Sequence, residues 1–259
     1  MIRVGVGGWV YEPWRDNFYP KGLAQARELE YAGAHLTAIE INGTYYGSQK
    51  PASFRKWHDG TPKDFVFAVK GPRFATNRRV LGEAKDSIAK FFDSGVTELK
   101  DKLGPVNWQF MATKKFDPQD FAAFLKHLPQ RIGGRAIRHA VEVRHESFAC
   151  REFVEMCRAQ DIAIVFAADS DFPTIADVTA PFVYARLMGT KAEEKLGYSK
   201  AMIGKWAARA KEWEKGAAPK LDLLAPAAPR QKRDVFLFVI AGAKERNPAA
   251  ATALIDAIA

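Results

Sequence analysis

The chain has 259 residues, 47% of them apolar and 12% aromatic, enough to bury a sizeable core. Its formal charge of +9 points to an anionic partner, either a small molecule or nucleic acid, or to solubility alone. No stretch reaches about 18 apolar residues and the N-terminal segment has no apolar signal region, so a membrane span is excluded and a cytoplasmic location is expected.

Short apolar runs alternate with segments of helical pattern. Residues 3–8 read as a strand, followed by an aromatic loop (Trp9, Tyr11, Trp14) and a helix over 22–33. Residues 36–42 form the second strand and 51–58 a short helix, with Pro51 suited to its first turn. The third strand is 65–70, followed by a helix over 83–102 that Gly104-Pro105 closes. The fourth strand is 105–111, and Asp117-Pro118 opens a helix to about Arg131. The fifth strand is 139–144, and Ser147 is read as the cap of a helix running to about Gln160. That helix carries the two cysteines, Cys150 and Cys157. Seven positions separate them, about 10 Å along a helix, too far for a disulfide. Two thiols also make no zinc framework.

The sixth strand is 162–168, and little helical pattern follows it. The seventh strand, 181–188, precedes a helix at 199–215. Residues 216–234 are rich in Pro, Ala and Lys and read as a basic exposed loop. Residues 235–241 are the eighth strand, and Asn247 is read as the N-cap of a last helix. Eight strands alternating with helices match an α/β fold, a single (β/α)8 TIM-type barrel over residues 1–259; a doubly wound open sheet is the rival.

Successive strand residues face opposite ways. If Ile39 and Ile41 face the helices, Glu40 and Asn42 face inward. The same parity turns Lys70, Gln109, Glu142, Arg144, Asp169 and Arg186 inward, each near the C-terminal end of its run. Barrel enzymes and open α/β sheets both place their sites at those ends. Glu40, Lys70, Glu142 and Asp169 are therefore catalytic candidates; His145, of opposite parity unless the chain turns after Arg144, joins them as a general-base candidate. Trp9, Tyr11, Asn42, Tyr45, Arg73, Gln109, Arg144 and Arg186 are the substrate-binding candidates, with arginines suited to anions and aromatics to a stacking wall. The competing reading is a structural ion-pair network.

Glu40, Glu142, His145 and Asp169 could also ligate a divalent metal. Lys70 and Arg144 already supply positive charge there, so no metal or other cofactor is expected. Gly5-Val6-Gly7-Gly8 fails as a dinucleotide fingerprint, because Val10 occupies the third glycine position and no helix opens immediately. The glycine turns at Gly189-Thr190-Lys191 and Gly242-Ala243-Lys244 stand where barrels often cradle phosphate.

Several runs, taken in order, resemble one family. They are Gly5-Val6-Gly7-Gly8-Trp9-Val10-Tyr11, Phe18-Tyr19-Pro20, Glu40-Ile41-Asn42-Gly43-Thr44-Tyr45-Tyr46, Phe67-Ala68-Val69-Lys70-Gly71-Pro72-Arg73, Val141-Glu142-Val143-Arg144-His145 and Tyr184-Ala185-Arg186-Leu187-Met188-Gly189. Together they are similar to the DUF72, or YecE-like, proteins. The resemblance implies one TIM-type barrel and implies no reaction. Members of that family commonly carry an asparagine pair after the last strand; here the stretch reads Phe238-Val239-Ile240-Ala241-Gly242-Ala243.

The expected function is acid/base chemistry on an anionic or phosphate-bearing small molecule by an isomerase, lyase or hydrolase. Glu40 or Glu142 would act as base, the partner carboxylate or Lys70 as acid, and Arg144, Arg186 and Arg73 would hold the anion. Nucleic-acid binding or phosphodiester processing, and a non-catalytic ligand-binding barrel, are the alternatives. The sequence fixes no oligomeric state.

Overall fold

A computed structural model describes residues 1–217 and 220–259. Its main sheet has nine parallel segments, and the first and last in the hydrogen-bonded order are two halves of one stretch. The strands are β1 (Ile2–Gly7), β2 (Ala38–Ile41), β3 (Val66–Lys70), β4 (Leu103–Gln109), β5 (His139–Glu142), β6 (Ala163–Ile164 and Phe166–Ala168), β7 (Phe182–Leu187) and β8 (Asp234–Val239). The first half of β6 pairs with β5 and the second half with β7. Because only Val165 separates the halves, the two ends of the order meet and the barrel closes. β8 pairs with β1 on one side and β7 on the other, all parallel.

The α-helices are α1 (Glu28–His35), α2 (Pro51–Asp59), α3 (Lys85–Asp93), α4 (Pro118–Leu125), α5 (Arg151–Arg158), α6 (Lys200–Glu214) and α7 (Asn247–Ile258). Two one-turn helices, Gly43–Tyr46 and Arg73–Thr76, follow β2 and β3. Asp117 caps α4 by accepting from the Gln119 and Asp120 amides, each at 3.0 Å. Ser199 caps α6 through the Met202 amide.

The alternation read from the sequence sorts the strand residues into two cores. Val4, Val6, Ile39, Ile41, Phe67, Val69, Trp108, Val141, Leu237 and Val239 face out under the helices. Ala38, Ala68, Ala140, Ala163 and Val165 face in, opposite Phe182, Tyr184, Phe236 and Phe238. The interior is thus filled unevenly, with alanines on one wall and aromatic rings on the other, so that rings reach across the axis. At the lower end the Arg138 guanidinium lies 4.7 Å from the Phe236 ring centre and bonds Asp234 at 3.1 Å.

Several expectations give way to local chemistry. The helix expected over 22–33 starts only at Glu28, after a 3-10 turn at Gln25–Arg27. The helix expected over 83–102 breaks because Gly95 takes a left-handed φ of 97°, after which Val96–Lys102 continues as 3-10 turns. The helix expected to reach Arg131 ends at Leu125, and Arg131–Ile132 and Arg135–Ala136 form a small hairpin. Ser147 does not open the fifth-strand helix: Cys150 is its N-cap, and the Ser147 hydroxyl accepts from the Phe116 amide at 2.8 Å. Asn247 lies one residue inside α7, where its amide oxygen accepts from the Thr190 hydroxyl at 2.8 Å. Of the loop expected over 216–234, Ala218 and Pro219 lie outside the described residues. The remainder up to Arg233 is irregular, with Arg233 itself buried, and Asp234 already belongs to β8.

His139 lies buried at the start of β5. Its Nδ1 accepts from the Trp108 indole at 3.1 Å, and its Nε2 donates to the Pro129 carbonyl at 2.9 Å. Burial lowers the imidazole from 6.5 to about 4, against the opposing pull of the Pro129 carbonyl. The unfolded chain therefore takes up a proton between these values that the folded chain refuses. Stability should be full above pH 6.5 and fall as the pH drops toward 4, by up to about 3 kcal/mol from this group. Urea midpoints across that range, compared with His139→Gln, check this; an unchanged slope in the variant refutes it.

Candidate functional site

The strand ends bring together Glu40 (β2), Lys70 (β3), Asn107 and Gln109 (β4), Glu142 (β5) and Tyr184 and Arg186 (β7). Register sets their heights: Lys70 is level with Asn107, and Gln109 with Glu142. Arg144, two residues past Glu142, folds back over the same group.

The lower tier is sealed. Arg186, 3% exposed, donates to Glu142 Oε2 at 2.7 Å and to Glu40 Oε1 at 3.1 Å, clamping two carboxylates that are fully buried. The Tyr184 hydroxyl crosses the axis to donate to Glu40 Oε2 at 2.6 Å. Asn107 Nδ2 donates to Glu142 Oε2 at 3.2 Å. The upper tier opens toward the rim. Arg144 donates through Nε and Nη2 to Glu142 Oε1 at 2.9 and 2.7 Å, and its side chain is 23% exposed. Gln109 Oε1 accepts from both Lys70 Nζ at 2.5 Å and Arg144 Nη2 at 2.9 Å.

The electrostatics follow from this arrangement. Three cations face two carboxylates, a surplus of one positive charge when Lys70 is protonated. Burial and the neighbouring Arg186 lower the Lys70 ammonium from 10.5 to about 8, against the opposing pull of Glu40 and Glu142. For Glu142, burial acts upward but the guanidiniums of Arg186 and Arg144 outweigh it, leaving a carboxylic acid at about 2. Such a carboxylate is too weak a base to take a proton efficiently near neutral pH. Aromatic faces flank both rim cations: Lys70 Nζ lies 5.0 Å from the Tyr45 ring centre, and the Arg144 guanidinium lies 4.3 Å from that of Phe172.

Six of the thirteen candidates share this network (Glu40, Lys70, Gln109, Glu142, Arg144 and Arg186), and Tyr45 lies against it. Asn42 stands beside it, its amide donating to the Glu40 carbonyl at 3.5 Å. The structure places the rest elsewhere. Gly8, at φ 74°, swings the chain outward, so the Trp9 ring meets Trp57 of α2 at 5.2 Å and the helix-facing Phe67 at 6.4 Å. Tyr11 packs on Trp14 at 5.6 Å, with Lys244 5.9 Å above its ring. His145 caps the turn that follows, its Nδ1 accepting from the Ser147 amide at 3.1 Å. Asp169 sits at φ 54°, where the chain leaves the strand; its carboxylate accepts from the Tyr198 hydroxyl at 3.0 Å and is exposed. Arg73 lies out on the surface between Tyr46 and Phe74.

Three of the six amides expected to cradle phosphate after β7 and β8 are engaged within the chain: Gly189 donates to the Tyr198 hydroxyl, Lys191 to the Gly197 carbonyl and Ala243 to the Thr190 carbonyl. Phe172 is the rim residue that the sequence did not disclose, since its segment has neither helical nor strand period. Tyr184 shares the inward parity of Arg186 two residues on, but its bond to Glu40 depends on barrel closure. Among the described residues, no group of three or more His, Cys, Asp or Glu side chains is arranged to hold a metal ion. None of their helices is long and apolar enough to cross a membrane.

A closed parallel barrel with charged side chains gathered at the C-terminal ends of its strands defines a TIM-type barrel protein. The chain belongs to the family described as "Protein of unknown function DUF72", which it matches over residues 3–259. It is 28% identical over 161 residues to the UPF0759 protein YunF of Bacillus subtilis, a match covering 60% of this chain and 55% of that relative's length. Two solved DUF72 family structures have the same fold. One, from Enterococcus faecalis, gives a TM-score of 0.73 at 17% identity and covers 100% of this chain and 95% of that one. The other, from Thermotoga maritima, gives 0.72 at 23% identity, covering 98% and 97%.

Proposed function

We propose that the chain is an enzyme acting on an anionic, phosphate-bearing substrate at the barrel mouth, with Lys70 as the group that exchanges the proton. The depressed Lys70 ammonium beside a partly open Arg144 carries this reading. An amine that titrates near 8 holds both protonation states in workable amounts near neutral pH, which suits an acid/base group. The surplus positive charge at the rim favours an anion, and Arg144 presents a guanidinium to hold it. Gln109 spaces the two cations. Glu40, Glu142, Arg186 and Tyr184 act as positioning residues: they fix the floor and hold Arg144 and Lys70 at their heights. Glu142 therefore passes from candidate base to clamp.

Carbon-13 reductive methylation makes the Lys70 amine visible by NMR. Its resonance should titrate near pH 8, and inorganic phosphate should move the midpoint upward, because a bound anion favours the charged amine. In a screen of phosphate esters, Lys70→Met should lower kcat by about 10²–10⁴ for any ester turned over. A Lys70 amine that titrates like a free lysine, or one that ignores phosphate, would overturn the proposal.

A further inference from the structure

Beyond Lys70 the rim continues as an alternation of rings and cations. The Tyr45 ring that covers Lys70 meets Tyr46 edge-on at 5.1 Å. The Arg73 guanidinium lies 5.8 Å from the Tyr46 ring centre and 5.6 Å from that of Phe74. Tyr46 is 64% exposed and Phe74 61%. Behind Phe74 lies a cavity of about 310 Å³, lined also by Ser48, Gln49, Arg78, Ser87 and Lys90 and, among the described residues, by no carboxylate. Arg78 donates to the Ser87 hydroxyl at 3.1 Å and stands 3.9 Å from Glu83; Arg73 and Lys90 have no ion-pair partner among the described residues.

We infer that this face, from the Phe74 cavity across Tyr46 to the barrel mouth, is a track for single-stranded nucleic acid. Two large rings left in water, with a cation between them, offer stacking faces to successive bases and countercharge to the phosphates that link them. The cavity is of the size that holds a small ligand unit, with hydroxyl and amide groups to meet a base or sugar. A duplex buries its base faces in its own stack and cannot use Tyr46 or Phe74 in this way. The inference rests on the proposed function in one respect: it makes the anion at Lys70 and Arg144 a phosphate of the same strand.

The test is fluorescence anisotropy of a short fluorescein-labelled oligothymidylate with the full chain. Binding should weaken steeply with salt. Tyr46→Ala and Phe74→Ala should each weaken it by about tenfold, and Lys90→Glu further. Thermal melting should not change, because all three side chains are exposed. The inference fails if the strand does not bind in low-salt buffer, if the Tyr46→Ala/Phe74→Ala variant keeps full affinity, or if a duplex binds as tightly. It fails equally if thymidine monophosphate competes as well as the strand, which would assign a free nucleotide instead. The Lys70 resonance separates the two proposals. A strand that binds through Phe74 while phosphate leaves Lys70 unmoved keeps the track and removes the acid/base reading. Phosphate that moves Lys70 without any strand binding does the reverse.

Discussion

Arg186→Met should lower the unfolding free energy by about 3–5 kcal/mol. The substitution removes one side chain but strands two others, since Glu40 and Glu142 are fully buried and Arg186 contacts both. A buried carboxylate without a counterion pays its desolvation cost in full. Arg144 still holds Glu142, so the larger penalty falls on Glu40, which keeps only the Tyr184 hydroxyl among these partners. Adding Glu40→Gln to the variant should therefore recover part of the loss. Urea denaturation measures both. A loss below about 1 kcal/mol, within the range of surface pairs, would show that the clamp is not sealed as described.

Arg233→Ala should cost about 3 kcal/mol and release the segment that precedes β8. Arg233 is buried without a carboxylate partner among the described residues. Its guanidinium instead donates to four backbone carbonyls: Pro229 at 2.8 Å, Gln231 at 3.2 Å, and Gly216 and Ala180 at 3.3 Å. Each carbonyl loses its donor in the variant, and water must reach them to compensate. Limited proteolysis should then cut within 220–233 much faster than in the parent chain. Equal cleavage rates and an unchanged urea midpoint would refute the pinning role. An arginine in a stretch that reads from sequence as a basic exposed loop is thus the fastener of that loop.

The parts legible in the sequence share one physical basis. A strand that buries its outer face under helices and its inner face in a barrel has period two, and the residue types show it. Ile39 against Glu40, Val69 against Lys70 and Val141 against Glu142 report their faces without any tertiary knowledge. All six candidates that meet in the network lie on such strands or, like Arg144, within two residues of their ends. The failures begin where that period stops. Gly8 and Asp169 take left-handed backbone, which resets parity and sends Trp9 and the Asp169 carboxylate elsewhere. His145 is captured by the turn after it. Helix ends escape the sequence pattern for a related reason: Gly95 and Ser147 act through turns and side-chain bonds that helical periodicity does not encode.

The unequal filling of the barrel links its interior to its mouth. Tyr184 reaches Glu40 because the wall it crosses toward carries alanines, Ala38 and Ala68 among them. Any one of these methyls grown into a larger side chain would meet a ring with no room to retreat, and the displaced phenol would carry the clamp with it. The scaffold below the mouth and the charges above it therefore cannot vary independently. Relatives sharing this interior are free to diversify chiefly in the loops that border the opening, and a search for differences in what they bind belongs there.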